Sequence, residues 1–306
     1  MNWFKLFRLP NLLLIALTQL VLHFGFLKFQ GIRLGLSDGQ FLLLVLSTVF
    51  IAAAGYLIND ILDTDTDAQN GRIVLVGSEI SEQTAYGIYV ALNIIGVGIG
   101  CYLSYLVSKP GFTSAFVLVA VLLYLYSDQI KNYAFFANLL VAFLVSAVIL
   151  IVGLFDIVAI MDPYNRGTLT VVFGVIADYA IFAFLINFMR EVVKDVQDMT
   201  GDYNQGRRTI PIVLGRERTL QWLSIFTILP LGLLVFYLYQ YLLHLNLVLA
   251  YFAVFVIVPL GYFAYAIRSS SKPSDYKKMS GLLKLVLLFG VLSLLIVVLN
   301  IRMNAQ

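Results

Sequence analysis

The chain has 306 residues, 61% of them hydrophobic and only 12% charged, with a formal net charge of +3. A mean hydropathy of +0.92 lies far outside the range of water-soluble domains, and so small a charge excess gives no basis for binding nucleic acid. The single cysteine, Cys101, excludes an intrachain disulfide and a cysteine metal site.

A helix needs about 20 mostly apolar residues to cross a hydrocarbon core of roughly 30 Å. Runs of that kind predict nine helices, near residues 11–28, 40–58, 84–107, 112–127, 135–155, 168–189, 219–240, 246–267 and 281–300. The first run follows Lys5 and Arg8 as a signal peptide would, but it is too long and lacks a small-residue cleavage site, so it is expected to be retained. No room is left for a separate soluble domain. Residues 1–306 are expected to form one all-α, polytopic membrane domain.

Alternating the loops between two sides gathers Lys5, Arg8, Arg72, Lys131, Arg190, Lys194, Arg207, Arg208, Arg216, Arg218, Arg268, Lys272, Lys277, Lys278 and Lys284 together, 15 of the 20 basic residues. The positive-inside bias then predicts a cytoplasmic N-terminus and, after nine crossings, an outer C-terminus in a cell membrane.

Two polar stretches interrupt this pattern. "DTDTDAQNGR" from Asp63 and "DMTGDYNQGR" from Asp198 share the template D-x-x-x-D-x-x-x-G-R, 135 positions apart. Continuing the second helix by a few turns puts Asn59, Asp63 and Asp67 at i, i+4 and i+8, each about 40° around from the last. Past the sixth, Asn187, Glu191, Asp195, Asp198 and Asp202 form a second stripe. An Asp at mid-membrane costs about 2.5–3.5 kcal/mol, so Asp60, Asp63, Asp65 and Asp67 must meet water or a polar cavity. Stacked carboxylates repel, and oxygen-only ligands without His or Cys suit Mg²⁺, which takes its remaining ligands from substrate phosphates. Two such clusters on one predicted side imply a two-cation clamp on a diphosphate. Gly71 and Gly206 would turn the chain off each helix, and Arg72, Arg207 and Arg208 would supply phosphate donors. A lone D-x-x-x-D at a membrane surface is more often a solvated helix end; the repeat on one side is what reverses that reading.

"NDILDTDTD" from Asn59 and "DMTGD" from Asp198 resemble the signatures of the UbiA family of intramembrane prenyltransferases, N-x-x-x-D-x-x-x-D after the second helix and D-x-x-x-D after the sixth. The likeness covers essentially the whole chain. "FRLPNLLLIALTQ" at Phe7 and "REVVKDVQDMTGDYNQGRRTIPIVLG" at Arg190 look most like the branch that attaches a second geranylgeranyl chain to geranylgeranylglyceryl phosphate. The resemblance implies a nine-helix bundle around a membrane cavity under a cytoplasmic cap, with both motifs binding a prenyl diphosphate through Mg²⁺. It makes Asn59, Asp63, Asp67, Asp198 and Asp202 the metal and diphosphate ligands. Asp195 either joins them or takes a proton. Lys131 and Tyr126, in "YSDQIKN", match the family's diphosphate-contacting Tyr and Lys loop with one extra position between them, and Lys194 is a further candidate donor. Arg8 and Asn11 match the branch's R-x-P-N segment; they either receive an acceptor's phosphate or serve as a membrane anchor and a helix cap. Many relatives carry a Pro and basic run after the first motif, where this chain has "NGRIVLVGSEIS", so Arg72 stands in for the missing basic residue and "RIVLVG" is a candidate lid segment.

Asp178 lies about 25 Å of helical rise from Asp195, too far for the same diphosphate, and is expected to be protonated or hydrogen-bonded inside the bundle. Gln19 and His23 either line an acceptor pocket or make satisfied contacts between helices. The expected reaction is Mg²⁺-dependent transfer of a prenyl, best geranylgeranyl, group to a lipid alcohol in the membrane, with no obligate protein partner. An aromatic acceptor of the dihydroxynaphthoate or hydroxybenzoate type would use the same diphosphate motifs. An ion or solute transporter would instead place its ionisable residues near the bilayer midplane on broken helices.

Overall fold

Nine helices long and apolar enough to cross a membrane run through the described residues, 3–64 and 74–304, of the computed structural model. They are α1 (Leu9–Gln30), α2 (Asp38–Leu62), α3 (Glu82–Leu106), α4 (Pro110–Asp128), α5 (Phe135–Ile160), α6 (Arg166–Asn204), α7 (Arg216–Leu242), α8 (Asn246–Ser269) and α9 (Pro273–Met303). Among the described residues β-structure is limited to two isolated bridges, Val76 with Ile80 and Tyr133 with Arg208. This is the all-α, multi-pass membrane architecture that the apolar runs predict.

Two compact units divide the chain. The first comprises residues 1–23, 33–131 and 150–174. Its most extensive helix pairing is α2 against α3. Little hydrophobic force acts between helices in lipid, so close approach depends on small residues and interhelical hydrogen bonds. Gly96 supplies the approach: a Cβ there would lie 2.7 Å from Ile51 Cγ1 and 3.1 Å from the Ser47 carbonyl oxygen. Ser47 Oγ donates to the Gly96 carbonyl at 2.7 Å, both satisfying the hydroxyl and fixing the register. One turn on, a Cβ at Gly100 would meet the Phe116 ring of α4 at 2.5 Å. At the start of α1 a short helix, Trp3–Leu6, leads into Arg8, whose φ of 48° is left-handed and re-aims the chain before Pro10. Leu6 packs with Leu57, Ile58, Ile61, Val76, Ile80 and Ala85, so the apolar residues of 74–80 lie on the end of α2.

The second unit comprises residues 24–32, 132–149 and 175–306. Its core is built on α6, where Ile186, Phe188, Met189, Val192, Val193 and Val196 meet Leu223 of α7, Val248, Phe252 and Val256 of α8, and Leu283 and Val286 of α9. Outward-facing Ile181, Phe236 and Val258 are exposed, as expected of side chains that meet lipid rather than water. Tyr179 and Ser293 share a hydrogen bond at 2.7 Å between α6 and α9.

Candidate functional site

The first acidic motif begins where α2 ends. The regular helix stops at Leu62, with Asp63 as its cap residue at φ −98° and ψ 5°; Thr64 is helical again, and the expected continuation to Asp67 lies outside the described residues. Thr64 satisfies the freed carbonyls, its hydroxyl donating to Ile61 at 2.5 Å and to Asp60 at 3.4 Å. Asn59 and Asp63 keep their helical relation, since Asp63 N donates to the Asn59 carbonyl at 3.0 Å. Asp63 is buried, and Lys131 Nζ reaches its Oδ1 at 2.7 Å across 68 residues of sequence. Asp65, Asp67, Gly71 and Arg72 lie outside the described residues.

Nearby in the same unit, Arg8 Nη2 pairs with Asp60 Oδ1 at 3.0 Å and the guanidinium sits 5.0 Å from the Tyr56 ring centroid. A phosphate at Arg8 would have to compete with that carboxylate. Beside it, Phe7, Leu9, Leu12, Val49, Phe50 and Leu92 line an apolar pocket of about 270 Å³. Asn11 N donates to the Arg8 carbonyl at 2.8 Å, the first turn of α1, and Tyr126 is half-buried on α4.

The second motif is helical throughout, because α6 runs to Asn204 instead of stopping near residue 189. Glu191, Asp195, Asp198 and Asp202 therefore form the stripe that their spacing predicts. Asp195 Oδ2 accepts from Asn138 Nδ2 at 2.7 Å, an amide brought in by α5. Asp202 is buried, with Arg207 Nη1 at 3.4 Å from its Oδ1. Gly206, at φ 70°, turns the chain off the helix, and Arg207 N donates to the Asp202 carbonyl at 3.0 Å, closing the C-terminus as glycine-terminated helices do. Arg208 N donates to the Asn132 carbonyl at 3.4 Å, leaving the Arg208 side chain exposed. Lys194 Nζ pairs with Glu191 Oε1 at 2.6 Å.

Both motifs thus present oxygen donors held against Lys or Arg, in the absence of any softer ligand. That donor set fits Mg²⁺. Among the described residues no three His, Cys, Asp or Glu side chains gather closely enough to hold an ion by themselves, and Asp67 falls outside them.

The spacing of motifs gave no sign of a second polar centre in the first unit. His23 and Asp156 are both fully buried, and His23 Nδ1 donates to Asp156 Oδ2 at 2.7 Å. His23 lies in a π-helical stretch, Val21–Phe26, stacked on Phe41 at 3.8 Å, with its Nε2 3.6 Å from Asp38 Oδ1. Asp156 also accepts Leu36 N at 3.3 Å on Oδ1 and Gly35 N at 3.0 Å on its carbonyl. His23 thus makes a contact between helices, and Gln19 Nε2 does the same, donating to Thr48 Oγ1 at 3.1 Å. Asp178 departs from its expected setting inside the bundle: its side chain is exposed on α6. Asn138 carried a signal, as a lone amide in a very apolar run; Asp156 sat just past a predicted boundary.

Residues 21–299 match the model of the UbiA prenyltransferase family. Curated relatives named digeranylgeranylglyceryl phosphate synthase include one from Saccharolobus solfataricus, 29% identical over 92% of this chain and 93% of the relative. Another, from Thermococcus gammatolerans, is 32% identical over 59% of each, and one from Thermococcus kodakarensis is 31% identical over 64% of each, so in these two cases the chain spans less than two thirds of the relative's length. Among solved structures, one of a digeranylgeranylglyceryl phosphate synthase superposes with a TM-score of 0.67 at 22% identity, covering 96% of this chain and 98% of that one. A UbiA homologue from Archaeoglobus fulgidus bound to DMAPP and Mg²⁺ gives 0.62 at 18% identity, covering 96% and 99%. The structural likenesses establish the fold. With nine apolar helices, acidic motifs closing the second and the sixth, and a family match across nearly its whole length, this chain belongs to the UbiA prenyltransferase family.

Proposed function

We propose that the protein transfers a prenyl group, geranylgeranyl in the best reading, from its diphosphate to the hydroxyl of a phosphorylated lipid alcohol in the membrane. The observation that carries the reading is the repeated acidic ladder, each copy at the foot of an apolar helix with a buried carboxylate already held against a cation, Asp63 on Lys131 and Asp202 on Arg207. The names of the relatives support a phosphorylated lipid as acceptor over an aromatic one.

In this reading Asn59, Asp63, Asp67, Asp198 and Asp202 would hold Mg²⁺. Bound Mg²⁺ supplies Lewis-acid stabilisation of the departing diphosphate. Lys131, Tyr126, Arg72, Arg207 and Arg208 donate hydrogen bonds to its oxygens, where negative charge grows as the allylic C–O bond breaks. Apolar walls hold the prenyl chain and exclude water that would capture the electron-poor carbon. The acceptor oxygen forms the new C–O bond, the old bonding pair leaves with diphosphate, and the hydroxyl proton passes to Asp195, which Asn138 keeps in place. The basic-residue bias supports placing the N-terminus and both motifs on the cytoplasmic side.

Purified protein, labelled geranylgeranyl diphosphate and Mg²⁺ are to be tested against geranylgeranylglyceryl phosphate, dihydroxynaphthoate and hydroxybenzoate. Labelled lipid should form with the phosphorylated alcohol. Product with aromatic acceptors only would shift the acceptor class, and ion flux in proteoliposomes with no product from any acceptor would overturn the reading.

A further inference from the structure

At one end of the second unit α7 begins, α8 ends and α9 begins. The three ends are packed together. Leu220 and Leu223 of α7, Phe263 and Ile267 of α8, and Tyr276 and Met279 of α9 share one core. Ser224 Oγ donates to the Ala264 carbonyl at 2.7 Å, and the Tyr276 hydroxyl to the Ser270 carbonyl at 3.0 Å. On this platform stand Arg216, Arg218, Arg268, Lys272, Lys277 and Lys278, all exposed, and among the described residues none of the six is in an ion pair. Glu217 and Asp275 are the acidic residues of segment 210–280, and Asp275 already accepts Lys272 N at 3.1 Å and Ser271 N at 3.4 Å. Six basic groups against two acidic ones leave a formal surplus of four positive charges.

Each basic end continues an outward stripe of its own helix. On α8 the exposed residues at steps of three or four are Val254, Val258, Tyr262, Tyr265 and Arg268. On α7 they run from Ile228 and Ile225 through Gln221 to Arg218, and on α9 from Leu285 through Gly281 to Lys278. Outward aliphatics, then tyrosines, then basic side chains follow the polarity of one lipid leaflet from its chains through its interface to its phosphates. A water-soluble partner would be met by the loop tips alone. Here the charge sits on stripes that already face lipid.

We propose that these six side chains form a docking surface for the phosphate headgroups of anionic membrane lipids. None of the six belongs to the residues assigned to Mg²⁺ and diphosphate, so the inference stands whichever acceptor the enzyme uses. A basic residue beside an anionic surface favours it by about fivefold, and added salt screens that attraction. Zwitterionic headgroups carry no net charge and gain little from the surplus.

The test offers the full-length protein, in neutral detergent, equal amounts of phosphatidylglycerol and phosphatidylcholine with matched chains, and counts the retained lipids by native mass spectrometry. The wild type should retain phosphatidylglycerol in at least about tenfold excess, and high salt should erase most of that preference. The double variant Lys277→Gln/Lys278→Gln should lower the ratio by about fivefold or more. Arg216→Gln/Arg218→Gln repeats the measurement should the first pair fail to fold in a thermal melt. Lys109→Gln/Arg166→Gln, which removes exposed cations from loops predicted on the other side, should leave the ratio unchanged. Equal retention of the two lipids by the wild type would overturn the proposal. So would a ratio unmoved by both double variants, or an equal loss in Lys109→Gln/Arg166→Gln. Polyglutamate captured by the wild type and lost in the double variants, with no lipid preference, would mark a protein-docking surface and overturn it as well.

Discussion

Replacing His23 by Phe keeps the ring stacked on Phe41 but removes the donor that faces Asp156. Both side chains are fully buried, so His23→Phe strands a carboxylate whose remaining side-chain contact is Leu36 N at 3.3 Å. Stranding one partner of a buried ion pair costs about 3–5 kcal/mol in water-soluble proteins. Asp156→Ala strands His23 Nδ1 and Leu36 N instead, at about 1–3 kcal/mol each. The double variant leaves no buried charge and one orphaned N–H, so it should cost little more than either single change. In membranes the unfolded chain also finds polar partners, which trims the expected coupling to about 2 kcal/mol. Denaturing detergent titrated into mixed micelles, followed by near-ultraviolet circular dichroism, measures all four corners of this cycle. A double variant that loses the full sum of the two singles would refute the direct pairing.

Asp63→Asn and Asp198→Asn should each cut prenyl transfer by at least about 100-fold, or roughly 2.7 kcal/mol of barrier, with an unchanged melting profile; near-normal product formation from labelled donor would remove either residue from the metal site. Chelation by EDTA should abolish turnover and added Mg²⁺ restore it, read as labelled lipid in the organic phase, and transfer that survives chelation would refute the metal requirement. Gly96→Ala should destabilise the protein by about 1–3 kcal/mol through overpacking against Ile51, whereas Gly98→Ala, with nothing within 4 Å of its added carbon, should stabilise by about 0.5–1 kcal/mol. Equal effects of the two in a detergent titration would contradict the tight α2–α3 contact.

Apolar run length located all nine helices, because the bilayer leaves few other ways to satisfy a backbone. It misplaced the far end of α6, where the apolar run ends near residue 189 but the helix persists to Asn204. Polarity marks where a helix leaves the hydrocarbon, not where its hydrogen bonds stop. The stripe of Glu191, Asp195, Asp198 and Asp202 along α6 was legible from i, i+4 spacing alone. The partners that hold the motif carboxylates were not: Lys131 lies 68 residues from Asp63 and Asn138 lies 57 from Asp195, and no local period encodes such a meeting.

The seam of Gly96, Gly100 and Ser47 bears on how the chain is made. Residues 38–128 emerge early in synthesis, and their association needs only small side chains and one interhelical hydroxyl bond, both available as soon as the three helices enter lipid. A ribosome-bound fragment ending shortly after α4 therefore already owns a self-sufficient hairpin and its neighbour. The later helices are inserted after it, and an alanine at residue 96 would injure biogenesis before it touched the mature protein.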